Sequence, residues 1–291
     1  MYEHVSVVIP TTGRNSSRTT LEALAQQDQA PPFEVIVAVD GGPAPDLSGV
    51  ARHAECTGVE VVRLPDHRGV SAARNAAIEV ARGDLIGFLD DDVEPDPRWL
   101  TVLARGLETF DGLAGRIVED VEPGPLSRLR RLAFDNRDRV NTRAGGPVDY
   151  LNGGNFGVRA DLLRRAGRFD VRFVKSQDRE LARRIVRSGA IIGYASDLIV
   201  RHRGDYTVAG LVRGRYRAGR AAATMAAGGD LTSVGPRTVR DTYGAGLVRL
   251  AFRHGLRISA YAALSMTAHR AGRMRTVEGT PQVSSWPDSL S

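Results

Sequence analysis

Four short apolar runs recur in the first part of the chain: VSVVIP (Val5–Pro10), EVIVAVD (Glu34–Asp40), VEVVRL (Val59–Leu64) and DLIGFLD (Asp84–Asp90). The first three are rich in β-branched residues and the fourth in Leu, Ile and Phe, as expected of buried strands. Segments of helical character lie among them. Asn15–Gln27 opens on Ser and Thr and places Leu21 and Leu24 on one face, and Gly69–Ala81 is rich in alanine. Strands that alternate with helices dictate an α/β architecture: a Rossmann-like, mostly parallel sheet with right-handed crossovers, flanked by helices. In such sheets ligands gather beyond the carboxyl ends of the strands. Thr11, Asp40 and Asp90 all fall at such ends.

The second half is more mixed. GLAGRIV (Gly112–Val118) reads as a strand, and Val148–Val158 as strands interrupted by a glycine turn. The basic stretch between them, Pro125–Val140, reads as a helix with a mobile flank. Asp178–Ser188 has helical spacing, and Ile191–Val200 gives two short strands around a turn. Beyond Gly204 the pattern is helical and basic, with glycine-rich breaks near Gly228 and Gly235, and the residues from Gly279 onward read as disordered. No internal repeat is present.

The aspartates carry the first chemical signal. FLDDDVEPDP sets three consecutive carboxylates, Asp90 to Asp92, at the end of an apolar strand. Like charges repel, so this triplet requires something positive. Asp90 and Asp92 could share one oxygen-coordinated divalent ion, which takes one or two protein carboxylates beside phosphate oxygens and water. The alternative is an acidic turn that caps the helix following Pro97. His202 in VRHRGD is either a surface histidine or a further metal ligand. Arg68 and Arg74 in HRGVSAARN can be ordinary surface arginines or bidentate phosphate ligands. Asp178 opens a helix, where a carboxylate serves as an N-cap or as a general base. Gly153 to Asn155 would then offer backbone amides to a substrate.

Composition excludes several classes. No GxxxxGK[ST] or post-strand GxGxxG is present, which argues against P-loop nucleotidases and dinucleotide dehydrogenases. The one cysteine, Cys56, forms no internal disulfide and fits a reducing compartment. The N-terminus lacks the marks of a signal peptide, and no apolar run is long enough to span a bilayer. A cytoplasmic protein with no transmembrane segment is expected. Of the net charge of +6, residues 204–291 hold 12 arginines against 5 acids, so the excess sits in the C-terminal part. That basic tail fits a negatively charged partner or arginine-rich solvated helices.

In chain order, VSVVIPTTGR, VAVDGG, RGVSAARNAAIEVARGDLIGFLDDD, LNGGNFGVRADLLRRAGRFD, QDRELARRI and VRHRGD resemble the family 2 glycosyltransferases, which have the GT-A fold. The chain is accordingly read as a GT-A domain over residues 1–203, a basic helical extension over 204–278 and a tail over 279–291. The resemblance implies a nucleoside-diphosphate-sugar donor, a hydroxyl acceptor and a divalent cation, Mn²⁺ or Mg²⁺. It implies inverting transfer and no nucleic-acid partner. Pro10, Thr11, Thr12 and Asp40 match positions that hold the nucleoside, with Arg14 beside them. Arg68, Arg74 and Asn75 match the segment that lines the diphosphate. Asp90 and Asp91 belong to the donor side, Asp90 near ribose and metal. Asp92 matches the direct metal ligand, and His202 a histidine that completes the metal shell. Asp178 matches the general base, with Gly153, Gly154 and Asn155 in the substrate-facing turn.

The sequence departs from the family at Gln177, where a glutamate normally precedes the base. This departure is the one feature favouring a catalytically inactive nucleotide-sugar binder. A sugar nucleotidylyltransferase, the other alternative, wants a glycine-rich basic loop where TTGRNSS has one glycine. The acceptor classes left open are a secondary metabolite, a peptide or a lipid-linked glycan. The last would bring the basic helices against the inner membrane face.

Overall fold

The structure, a computed structural model, describes residues 4–13, 17–120, 124–144, 146–173, 175–202, 207–227 and 256–275. Arg14, the glycine-rich breaks near Gly228 and Gly235, and the tail from Gly279 lie outside the described residues. The four apolar runs form β1 (Val5–Thr11), β2 (Phe33–Asp40), β3 (Cys56–Leu64) and β4 (Leu85–Leu89), which pair in parallel in the order β3-β2-β1-β4. β1 and β2 are buried along their whole length, so both faces are apolar and the sequences read as continuous runs. A period of two still sorts the side chains. Val5, Val7 and Ile9 join Val35, Val37 and Val39 in one core, while Val8, Ile36 and Ala38 join the other.

Helices cover both cores. α1 (Ser17–Leu24), α2 (Ser48–Ala51) and α4 (Trp99–Thr109) supply Leu21, Leu24, Val50, Trp99 and Leu103 to the first core. α3 (Val70–Val80), α6 (Ala160–Ala166) and α7 (Gln177–Arg187) supply Ala73, Ala77, Leu163, Leu181 and Ile185 to the second. The sheet continues through β7 (Asn155–Arg159), which is antiparallel to β4, then β6 (Gly112–Glu119), antiparallel to β7. β8 (Ile192–His202) runs parallel to β6, and β5 (Val93–Pro95) closes the edge antiparallel to β8. The result is a mixed eight-stranded sheet, β3-β2-β1-β4-β7-β6-β8-β5.

Local readings differ from this outcome at three places. Ile191–Val200 is not two strands around a turn. It belongs to one strand whose register against β6 jumps from Ala195 to Ile199, so polar Ser196 and Asp197 sit in a bulge. Of Val148–Val158, only Val148 makes a bridge, to Ile192, before β7 begins at Asn155. Val93-Glu94-Pro95, which belongs to none of the expected strands, is the edge strand β5.

Close approach of α4 requires glycine at the centre of the sheet. Gly87 of β4 and Gly157 of β7 are register partners beneath it. A Cβ on Gly87 would lie 2.7 Å from both Leu103 Cδ2 and Trp99 Cη2. Gly87→Ala is therefore expected to destabilise the protein by about 1–3 kcal/mol through overpacking, outweighing the entropic benefit of about 0.5–1 kcal/mol that alanine normally brings to a strand. A lowered denaturant midpoint would confirm it, and an unchanged or raised one would contradict it.

The basic extension contains α8 (Val208–Ala227) and α9 (Leu256–Arg275). They run past each other in opposite directions, Gly272 against the Tyr216 carbonyl and Gly219 against the His269 carbonyl. Small residues there let the two backbones touch. α9 also rests on α5 (Pro125–Ala144), where Leu129 and Ala262 form a small buried contact flanked by Leu132 and Tyr261. Among the described residues, no helix is long and apolar enough to cross a membrane.

Candidate functional site

The carboxyl ends of β1, β2 and β4 converge on one edge of the sheet. The exit loops of β1 and β2 lie against each other, since a Cβ on Gly13 would strike Pro43 and one on Gly42 would strike the Thr12 carbonyl. Both carboxylate oxygens of Asp40, a buried residue, are occupied. They accept the backbone N–H groups of Arg68 at 2.6 Å and Gly69 at 2.8 Å, with His67 Nδ1 at 2.9 Å. Gly69, at φ +89°, precedes α3, so Asp40 ties the HRG loop to the helix start. Asp40 thus shapes the loop, while the Arg68 side chain is exposed on it.

The three consecutive aspartates separate into three environments. Asp91 accepts the hydroxyl of Thr11 at 2.5 Å, linking the ends of β4 and β1. Asp90 accepts from Arg74 Nη2 at 2.8 Å. Arg74 is only 1% exposed. Its guanidinium lies 5.3 Å from the ring centre of Phe169, 5.8 Å from that of Phe156 and 6.0 Å from that of Phe88. Desolvation raises the pKa of Asp90, Arg74 and Lys175 oppose the rise, and Asp92 and Asp178 reinforce it. Asp92 meets His202 Nε2 at 3.2 Å.

On the other side of Asp90 is the turn Asn152-Gly153-Gly154. Gly154, at φ +85°, comes so close that a Cβ there would lie 2.6 Å from Asp90 Oδ2. The Gly153 N–H donates to Asp178 Oδ2 at 2.8 Å. Asp178 lies in the first turn of α7, where free backbone N–H groups favour a negative charge. The preceding Ser176 is left-handed at φ +65°, an uncommon conformation for serine. Asp178 thus ties the start of α7 to the glycine turn.

Several residues expected to face a ligand serve the framework instead. Pro10 is buried inside β1, paired with Ala38. The Asn75 side chain donates to the Phe169 carbonyl at 2.8 Å and accepts its N–H at 2.9 Å, fixing the ring that covers Arg74. Asn155 is fully buried. Its amide accepts from Trp99 Nε1 and donates to the Arg116 and Leu198 carbonyls, each at 2.8 Å. The two side-chain amides bind the protein's own backbone and the Trp99 indole, and so hold neighbouring elements in place. Thr12, Arg68 and Asp92 stay accessible at the edge.

Two residues at the site were not singled out from sequence. Glu119, at the end of β6, approaches His202 Nδ1 at 3.5 Å. Its position, straight after the apolar run GLAGRIV, repeats the pattern of Asp40 and Asp90 and is the signal that could have found it. Lys175, the only lysine of the chain, has its charge near Asp90.

The donor set can be tested for a divalent ion. Among the described residues no cluster of three or more His, Cys, Asp or Glu side chains forms a ready-made cage. Asp92 and His202 offer one carboxylate and one imidazole on neighbouring strand ends, which suits Mn²⁺ or Mg²⁺ completed by phosphate oxygens and water. Burial disfavours a charged His202 ring, but hydrogen bonds to Asp92 and Glu119 outweigh it and lift the pKa to about 9. A cation there takes the place of that proton. The residues fit such an ion.

Comparison with known proteins gives a consistent pattern. The family described as Glycosyl transferase family 2 matches residues 6–167, more than half of the chain. The pre-mycofactocin glycosyltransferase of Mycobacterium tuberculosis is 30% identical over 207 residues, covering 69% of this chain and 43% of that protein. Glycosyltransferase AglE of Haloferax volcanii is 27% identical over 206 residues, 68% of this chain and 66% of that one. Among solved structures, the mannosyltransferase PcManGT of Pyrobaculum calidifontis in complex with GDP-Man and Mn²⁺ superposes with a TM-score of 0.60 at 18% identity, covering 95% of this chain and 83% of that one. TarS 1-349 of S. aureus in complex with UDP-GlcNAc gives 0.53 at 16% identity over 96% and 93% of the two chains.

Proposed function

The chain belongs to glycosyl transferase family 2 and has the GT-A fold, and from that premise we propose that it transfers a sugar from a nucleoside-diphosphate sugar to a hydroxyl acceptor, by a divalent-cation-dependent, inverting route with Asp178 as general base. The observation that most supports this reading is the Gly153-Gly154 turn, which carries Asp178 on one glycine and abuts Asp90 with the other. One glycine turn thereby adjoins both the proposed base and the proposed donor-side carboxylate. That fold relatives hold GDP-Man with Mn²⁺, or UDP-GlcNAc, is in keeping with a nucleotide-sugar donor.

In this reading the accessible strand-end residues Thr12 and Arg68 receive the nucleoside diphosphate, with Arg68 free to turn its fork toward phosphate oxygens. Asp92 and His202 would hold the cation, which when bound supplies charge neutralisation for the diphosphate. Asp90 stays paired with Arg74 and keeps the glycine turn at its distance. Asp178, with Oδ2 held by the Gly153 N–H, takes the acceptor's hydroxyl proton on Oδ1. In-line attack of the acceptor oxygen on the anomeric carbon then breaks its bond to the diphosphate oxygen, releases the nucleoside diphosphate and inverts that carbon. A secondary metabolite, a peptide or a lipid-linked glycan each offers such a hydroxyl.

A thermal-shift panel of UDP-, GDP- and dTDP-sugars, each with and without Mn²⁺, tests the donor class. A donor at 100 times its Kd stabilises by about 2.7 kcal/mol, which for a protein of this size raises the Tm by roughly 4–5 °C. One nucleotide is expected to give that shift, and to need Mn²⁺ for it. Silence from every donor under both conditions would overturn the proposal.

A further inference from the structure

We propose that Glu119 is a positioning residue for the cation site: anchored by Arg130 of α5, it holds His202 through Nδ1 so that Nε2 faces Asp92 and the ion. This inference rests on the reading of Asp92 and His202 as cation ligands. Strand register brings the three side chains together. Glu119 ends β6 directly opposite His202 in the parallel β6–β8 ladder, and His202 is opposite Val93 in the antiparallel β8–β5 ladder. Asp92 immediately precedes Val93, so adjacent strand ends line up Glu119, His202 and Asp92 across the edge of the sheet. The distances follow that order, 3.5 Å from Glu119 Oε2 to Nδ1 and 3.2 Å from Nε2 to Asp92 Oδ2.

The Glu119 side chain has no solvent exposure. A carboxylate so enclosed must be compensated. Arg130 does this with Nη2 at 2.8 Å and Nε at 3.1 Å, both on Oε1, leaving Oε2 toward the imidazole. Oε1 thus meets the anchor and Oε2 the histidine. Imidazole ligands of metals commonly give their second N–H to a carboxylate, which fixes ring orientation and strengthens the ligand, and loss of that partner costs about 10–100-fold in metal affinity. The anchor is itself fastened. Leu129, next to Arg130, is buried against Ala262 of α9, so the helical extension braces the helix that carries Arg130.

The test is Mn²⁺ affinity, read by electron paramagnetic resonance of the free ion without donor or turnover, for wild type, His202→Ala, Glu119→Gln and Arg130→Met. Wild type is expected to bind Mn²⁺, and Glu119→Gln to bind it about 10–100-fold more weakly. His202→Ala should be at least as weak, and Arg130→Met should fall between wild type and Glu119→Gln. Wild-type affinity in a folded Glu119→Gln, with His202→Ala weakened, would overturn the role of Glu119 alone. Failure of wild type to bind Mn²⁺ would overturn it together with the cation reading. Should Glu119→Gln not fold, histidine ¹⁵N resonances of wild type with saturating Mg²⁺ decide the matter. Nδ1 protonated and Nε2 unprotonated on His202 supports the proposal, and any other state overturns it.

Discussion

Asp178→Asn is expected to lower turnover by about 10²–10⁴-fold, the usual contribution of a general base, while donor affinity and Tm stay near wild type. The substitution is nearly isosteric, and the asparagine oxygen can still accept the Gly153 N–H that the carboxylate accepts at 2.8 Å. The turn beside Asp90 therefore keeps its place. What disappears is the capacity to bind a proton. A charge in the first turn of α7 also disappears, which costs about 0.3–1 kcal/mol. That is small against the expected loss of activity. Glu180 shares the first turn but is committed to Arg184 at 2.7 Å, so it is not a ready substitute base. The decisive measurement is kcat beside donor Kd in the same preparation. An unchanged kcat removes Asp178 from the role of base. A loss of donor binding with the activity would instead assign it to the donor side.

Strand positions and strand ends were legible because burial on both faces forces continuous β-branched runs, and because polar residues at the end of such runs stand out. Thr11, Asp40 and Asp90 were found this way, and the structure gathers them at one edge. The division of labour among them was not legible. A sequence does not show that both oxygens of Asp40 are taken by the Arg68 and Gly69 amides, or that Asn75 binds the Phe169 backbone and Asn155 the buried Trp99 indole. Those facts depend on contacts between residues distant along the chain. The aspartate triplet illustrates the point. Its repulsion called for a positive partner, and a bound dication was one answer. The folded chain supplies others of its own: Arg74, 16 residues before Asp90, and His202, far downstream of Asp92. β5 was missed for a similar reason. Val93-Glu94-Pro95 carries a turn's composition, and it becomes a strand only because the edge of β8 offers hydrogen bonds.

Those separate partners make neighbouring substitutions diverge, and Asp92→Ala is expected to abolish cation-stimulated transfer, by about 10³-fold or more, with little change in Tm. Asp92 is partly exposed and meets His202, which keeps Glu119. The fold loses little, whereas the cation loses its only carboxylate ligand in the proposed pair. Several kcal/mol of transition-state charge stabilisation go with it. Wild type stripped with EDTA should behave alike and recover on adding Mn²⁺, while the Asp92→Ala protein should not. Asp90→Ala should fail differently. Arg74 is 1% exposed and would be left charged among three phenylalanine rings. Breaking a buried pair costs roughly 3–5 kcal/mol, and the partial exposure of Asp90 places this case nearer 2–3 kcal/mol. A Tm drop for Asp90→Ala and none for Asp92→Ala would separate the carboxylate that maintains the site from the one that operates it. Full wild-type rates in EDTA would show that transfer proceeds without the ion, and equal Tm losses for both variants would show that the two carboxylates share one structural task.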